Sequence, residues 1–280
     1  VKTESNYTEA PNNKVKSTKM EIKLSGKKAL VGASTSGIGK AIAIQLAASG
    51  ATVTLMSRSL DKLEAVKYVL STSEGQQHQV LQVDFTDFEA YQVLISEYFE
   101  NNSVDILVNN TQGPATGTAL DKSVTDYQQA FDLLFKTVVF TTELALKSMQ
   151  KNKWGRIINV ASVTVKEPLS YLVLSNSIRA ALVTWAKSLA TKVGKDGITV
   201  NSILTGYFNT ERIKALNAKK AKEQNISEEE VLKQLEATVP VKRIGDPAEY
   251  GCLVAFLASQ QAAFITGTQI PIDGGALCSV

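Results

Sequence analysis

One histidine in 280 residues is the sharpest shortage of this sequence, and two cysteines are the next. His78 stands alone, so a Ser-His-Asp triad or a multi-histidine metal site has a single residue to draw on. Cys252 and Cys278 have no partner at metal-ligand or redox-motif spacing and read as thiols of a reducing compartment. No apolar run reaches the roughly 18 residues of a membrane span. The net charge is only +3, and no basic stripe interleaved with aromatics is present, which leaves no case for nucleic acid. The expected setting is cytoplasmic, with neither membrane nor nucleic acid as partner.

What is present is globular in composition, with 44% apolar and 20% charged residues. Residues 1–23 are polar, mixed in charge and without the apolar centre of a signal peptide. They are expected to be a flexible extension, with Met20 opening the natural start and the residues before it a tag remnant or an upstream start. No linker composition follows residue 24, so 24–280 is expected to form one domain.

Apolar runs of β type alternate with helical stretches along most of that domain. The runs are KALVGA, TVTLMS, QVLQVD, ILVNN, RIINVAS and ITVNSIL, with TQIPID near the end. They lack strict polar alternation, as expected of strands covered on both faces. Helices are expected over 37–49, 59–72, 86–101, 123–151 and about 171–193. This rhythm predicts an α/β fold with a doubly wound parallel sheet. The Lys- and Glu-rich stretch 211–244 breaks the rhythm. Ser227 and Glu230 resemble a capping box there. The stretch reads either as two solvated helices or as a helical lid over a site.

The first strand run leads into Gly32-Ala33-Ser34-Thr35-Ser36-Gly37-Ile38-Gly39, where a helix opens. A glycine-rich turn at a helix N-terminus lets backbone N–H groups approach a pyrophosphate. Gly32, Ser34, Ser36, Gly37, Ile38 and Gly39 are therefore candidate dinucleotide-binding positions. Arg58 ends the second strand run, nineteen residues after Gly39. An acidic residue there would hold the ribose diol of NAD, whereas an arginine pairs with the extra phosphate of NADP. With Ser57 as an added hydroxyl donor, NADP(H) is favoured over NAD. Asp84 can accept from the adenine amino group or cap a helix. Asn109 and Asn110 end the fourth run, where they can brace the neighbouring backbone or touch the adenosine ribose.

With these motifs the chain resembles the short-chain dehydrogenase/reductase family over about residues 24–280. The likeness is carried by G-A-S-T-S-G-I-G at 32–39, N-N-T-Q at 109–112, Ser162 with its following helix, and I-T-G-T-Q-I-P-I-D-G-G at 265–275. It is most similar to the divergent branch labelled oxoacyl-carrier-protein reductase-like. The resemblance implies a Rossmann fold, hydride transfer between a nicotinamide and a carbonyl or alcohol carbon, and assembly as a homodimer or homotetramer. It also implies a substrate-oxygen contact for Ser162 and a cofactor contact for Thr210.

The departures concern the chemistry. The family places Tyr thirteen residues after the catalytic Ser and Lys four further on, and those positions here are Ser175 and Arg179. A helix asparagine that supports proton relay is Phe135. Ala33 replaces a glycine of the first motif, a change tolerable if its φ stays negative. A serine hydroxyl is a weak acid, and a guanidinium keeps its proton. Three substitutes for the missing acid are on the chain. Tyr171 would share a helix face with Ser175, about 6 Å along the axis, if the helix includes it. Lys166 would act if it faces the crevice with a depressed pKa. Tyr207 lies in T-G-Y-F-N-T. The resulting expectation is an NADP(H)-dependent oxidoreductase of a small carbonyl or alcohol with a non-standard proton donor. The rival is a catalytically silent nucleotide-binding sensor or partner subunit.

Overall fold

The computed structural model describes residues 21–279, so the expectation for residues 1–20 falls outside the described residues. Seven parallel strands form one sheet in the order β3-β2-β1-β4-β5-β6-β7. They are β1 Lys28–Val31, β2 Thr52–Ser57, β3 Gln79–Gln82, β4 Ile106–Asn109, β5 Gly155–Val160, β6 Ile198–Thr205 and β7 Gln269–Ile272. All seven expected runs are strands. Those in the centre are buried along their length, since every residue of β4 and β5 is enclosed. Helices cover both faces, which is why the runs show no period of two.

One face carries α1 Gly37–Ala48, α2 Leu60–Tyr68 and α9 Pro247–Ala258 over a core that includes Ile42, Leu46, Leu63 and Val254. The other carries α3 Phe88–Asn101, α5 Thr137–Asn152 and α6 Val173–Val193 over Tyr91, Ile95, Met149 and Ala186. The expected helix 123–151 is interrupted. It consists of α4 Val124–Phe131, a π-helical turn Asp132–Lys136, and α5. No described helix is long and apolar enough to cross a membrane.

The sequence reading left α9 without an element. Its signal is nonetheless plain: Asp246 caps the helix, Pro247 follows, and Glu249 returns a bond to complete a capping box. Gly251 of α9 meets α1 so closely that a Cβ would sit 2.8 Å from the Ala41 carbonyl oxygen. Helix α1 is thereby seated on the sheet with its N-terminus at the switch between β1 and β4.

The stretch 211–244 holds α7 Glu211–Gln224 and α8 Glu228–Thr238. Asn225, at φ +54, turns the chain between them, and Ser227 caps α8 by accepting from Glu230 N at 3.1 Å. Each helix buries a single residue, Ala221 and Val231, so the pair is a thin layer beside the carboxyl ends of the strands.

Candidate active site

A cleft of about 450 Å³ opens across the carboxyl ends of β1, β4, β5 and β6. Parallel strands that diverge at a switch point leave such a crevice. Its floor is a close approach of backbones. A Cβ on Gly32 would lie 2.1 Å from the Asn110 carbonyl oxygen, and one on Gly39 would lie 2.2 Å from that of Ala33. Neither position accepts a side chain. Ser36 is the N-cap of α1, yet its side chain makes no capping bond, and the first turn carries no acidic residue. The opening N–H groups of α1 are thus left for an anion. Ser36, Gly37, Ile38 and Gly39 all line the cleft, and Thr210, the N-cap of α7, packs its methyl against Gly37. These features fit a dinucleotide pyrophosphate.

Ala33 corrects an expectation. Its φ is +45, in the left-handed region, where tolerance of the methyl had been tied to a negative φ. The turn demands it, because the next residue must return to β2: Ser34 donates from its N and its Oγ to the Met56 carbonyl, at 3.1 and 3.3 Å. Ser34 is fully buried by this, so its hydroxyl braces the turn instead of facing the cleft. Thr35, which the sequence reading passed over, does face it and bonds the Ser57 hydroxyl at 3.1 Å. Arg58 lines the same end of the cleft and is exposed.

Asp84 departs from one of its two expectations, since it does not cap α3, while its Oδ2 keeps no partner among the described residues and stays open to an adenine amino group. Its carboxylate accepts from Thr86 N and Oγ1 at 2.9 and 2.7 Å, which holds its pKa below the usual range. The cap of α3 is Asp87, and the cleft contact is Phe85. Asn109 proves a brace: it is buried and donates to Asn159 Oδ1 at 2.8 Å and Thr142 Oγ1 at 3.2 Å. Asn110 lines the cleft and donates to the Gly32 carbonyl at 3.0 Å.

At the other end, Ser162, Ser175 and Arg179 come together on the cleft wall. The Ser162 oxygen accepts from Thr164 N at 3.2 Å and Thr164 Oγ1 at 2.9 Å, which leaves its own proton to donate. Arg179 is only 8% exposed. Its Nη1 donates to the Val160 carbonyl, and it has no ion pair among the described residues. Burial lowers the guanidinium to about 10, so it stays cationic at neutral pH.

The three substitute acids lie elsewhere. Helix α6 begins at Val173, so Tyr171 is outside it, 47% exposed and away from the lining. Lys166 follows the short turn Val163–Val165, is exposed and faces no cleft wall. Tyr207 lines a neighbouring pocket with Arg243, Glu249 and Asp273, and burial raises its phenol pKa, which makes it a poorer acid. Phe135 stacks on Phe131 and meets Trp185 edge to face instead of lining the cleft. Two lining residues were given no role of their own in the sequence, one inside the N-N-T-Q motif and one just after Thr210. They are Gln112 and Arg212, whose Nη2 reaches from α7 to the Pro114 carbonyl at 3.1 Å.

A sequence model of the family described as enoyl-(acyl carrier protein) reductase matches residues 32–276. The NADPH-dependent reductase BacG of Bacillus subtilis is 32% identical over 260 residues, covering 92% of this chain and all of the relative. The oxidoreductase UcpA of Salmonella typhimurium is 36% identical over 91% of this chain and 95% of its own. Among solved structures, L-sorbose reductase of Gluconobacter frateurii, complexed with NADPH and L-sorbose, superposes with a TM-score of 0.87. It is 29% identical and covers 93% of this chain and all of its own.

Proposed function

This chain belongs to the short-chain dehydrogenase/reductase family, and on that premise we propose that it is an NADPH-dependent reductase of a small carbonyl compound. The observation that carries the reading is the pairing of a complete dinucleotide cradle with Ser162, its proton free to donate, at the opposite end of one cleft. The bound nicotinamide supplies hydride to the carbonyl carbon.

The chain's own residues do the rest. The N–H groups opening α1 hold the pyrophosphate, and Arg58 with Ser57 and Thr35 holds the 2′-phosphate. Thr210 fixes the cradle from the lid side. Ser162 donates to the substrate oxygen and Arg179 offsets the negative charge that grows on it. Among the described residues the cleft lining contains no Tyr, Lys, His or Cys, and its one carboxylate, Glu211, is ion-paired with Lys214 at 2.9 Å. The proton therefore comes from water, passed through the Ser175 hydroxyl. The lid α7–α8 closes over the lining, and the assembly is a dimer or tetramer.

The same missing acid favours a second reading, a nucleotide-binding subunit without turnover. Single-turnover oxidation of bound NADPH by a panel of small ketones and oxoacyl thioesters separates the two. Oxidation that slows about tenfold or more in Ser162→Ala supports the reductase. Saturable NADPH binding with no oxidation by any compound leaves the silent subunit. Absence of NADPH binding by folded protein removes both.

A further inference from the structure

Among the described residues, four charged side chains line the cleft: Arg58, Arg179, Glu211 and Arg212. Glu211 is taken by Lys214, and none of the three arginines has an ion pair among the described residues. Arg58, just beyond the end of β2, stands three strands from the end of β5, about 14 Å by strand spacing. It belongs to the adenosine half. Arg179, bonded to Val160 at the end of β5, and Arg212, bonded to Pro114 just beyond β4, belong to the Ser162 half.

Arg179, a buried cation without a countercharge, is unfavourable there until an anion arrives, and Arg212, exposed at the mouth of the cleft, adds a second cation without an ion pair among the described residues. On the reductase reading the anions of the dinucleotide are taken elsewhere, the pyrophosphate at α1 and the 2′-phosphate at Arg58. Arg212 rests on a neutral carbonyl, an acceptor that a carboxylate outcompetes. Gln112 stands on the same wall with an amide to add.

We infer that the ligand taken beside the nicotinamide carries a carboxylate, held by Arg212 at the lid and Arg179 at the wall. This rests on the reductase reading and narrows its substrate class to small oxo acids. The carboxylate turns the carbonyl toward Ser162 and neutralises the paired guanidinium groups, and its planar oxygens match the fork of Arg212.

The test is calorimetric titration of the NADP+-saturated protein with 2-, 3- and 4-oxopentanoate, each beside its methyl ester, with NADPH consumption followed for the same compounds. At least one acid is expected to bind ten or more times tighter than its ester. Arg212→Gln is expected to abolish that preference while NADP+ affinity stays within threefold. Arg179→Met is expected to lose it too, with a raised melting temperature, because the buried unpaired cation is gone. Acids and esters that bind alike overturn the inference, as does failure of all three acids to bind. So does an Arg212→Gln variant that loses NADP+ affinity in place of the acid preference. Tight acid binding without NADPH consumption would sink the reductase reading alone, since carboxylate capture is read by titration.

Discussion

The side-chain amide of Asn110 donates to the Gly32 carbonyl at 3.0 Å, while the Asn110 carbonyl occupies the space a Cβ on Gly32 would need. The ends of β4 and β1 are locked together by this double contact, at the point where the strand order reverses. The amide nitrogen also stands 2.8 Å from where a Cβ on Gly39 would fall. One side chain thus sets both the first turn and the start of α1.

Asn110→Ala removes the bond and leaves the turn free to widen. It is expected to cost about 1 kcal/mol in urea unfolding and to weaken NADPH binding about tenfold, equivalent to about 1.4 kcal/mol. Gly39→Ala has no room at all and is expected to abolish saturable binding in protein that remains folded by circular dichroism. Wild-type affinity in Gly39→Ala would show that the dinucleotide does not use this cradle.

The architecture was legible because it depends on patterns that survive in one sequence. Six apolar runs separated by helix-length stretches can hardly be anything but a parallel sheet, and Gly37 and Gly39 mark their turn by type. The candidate site was legible where backbone shapes the cleft and opaque where side chains do. Whether Tyr171 faces Ser175 depends on where α6 starts, and Leu172, an uncapped residue, gives no start signal. Asn109 and Asn110 are identical in type, yet strand alternation sends one into the core and one to the cleft. Arg212 reaches the cleft only because α7 folds back beside Pro114, a contact across 98 positions that no local pattern announces.

Ala33 offers a test of the turn itself. An alanine at φ +45 carries a left-handed penalty of roughly 1–2 kcal/mol. Glycine removes it but adds unfolded-state entropy worth about 0.4–1 kcal/mol. Ala33→Gly is therefore expected to be neutral or stabilising by up to about 1.6 kcal/mol, against the usual cost of an added glycine. The urea midpoint should rise or hold with an unchanged slope. A loss of 1 kcal/mol or more would mean that the left-handed geometry is not the native one.

Acid should weaken the far support of the site. Arg243 grips Glu249 through two bonds, at 2.8 and 2.7 Å, and Glu249 also accepts from Asp246 N at 2.8 Å. Arg243 first, and that backbone bond second, lower the Glu249 carboxyl to about 2 from an ordinary 4.5. A folded-state value below the unfolded one stabilises fully above about pH 4.5, and the gain is lost as pH falls through about 2. Both side chains are about half exposed, so solvent screening holds the gain to about 1 kcal/mol or less. Glu249→Gln is expected to lower the melting temperature by about 2–4 °C or less at pH 7, with the gap closing steadily from pH 4.5 to pH 3. A constant gap over that range would show that the charge contributes nothing. The consequence reaches the cleft, because Glu249 completes the cap of α9, and α9 is the helix that seats α1 and its open N-terminus against the sheet.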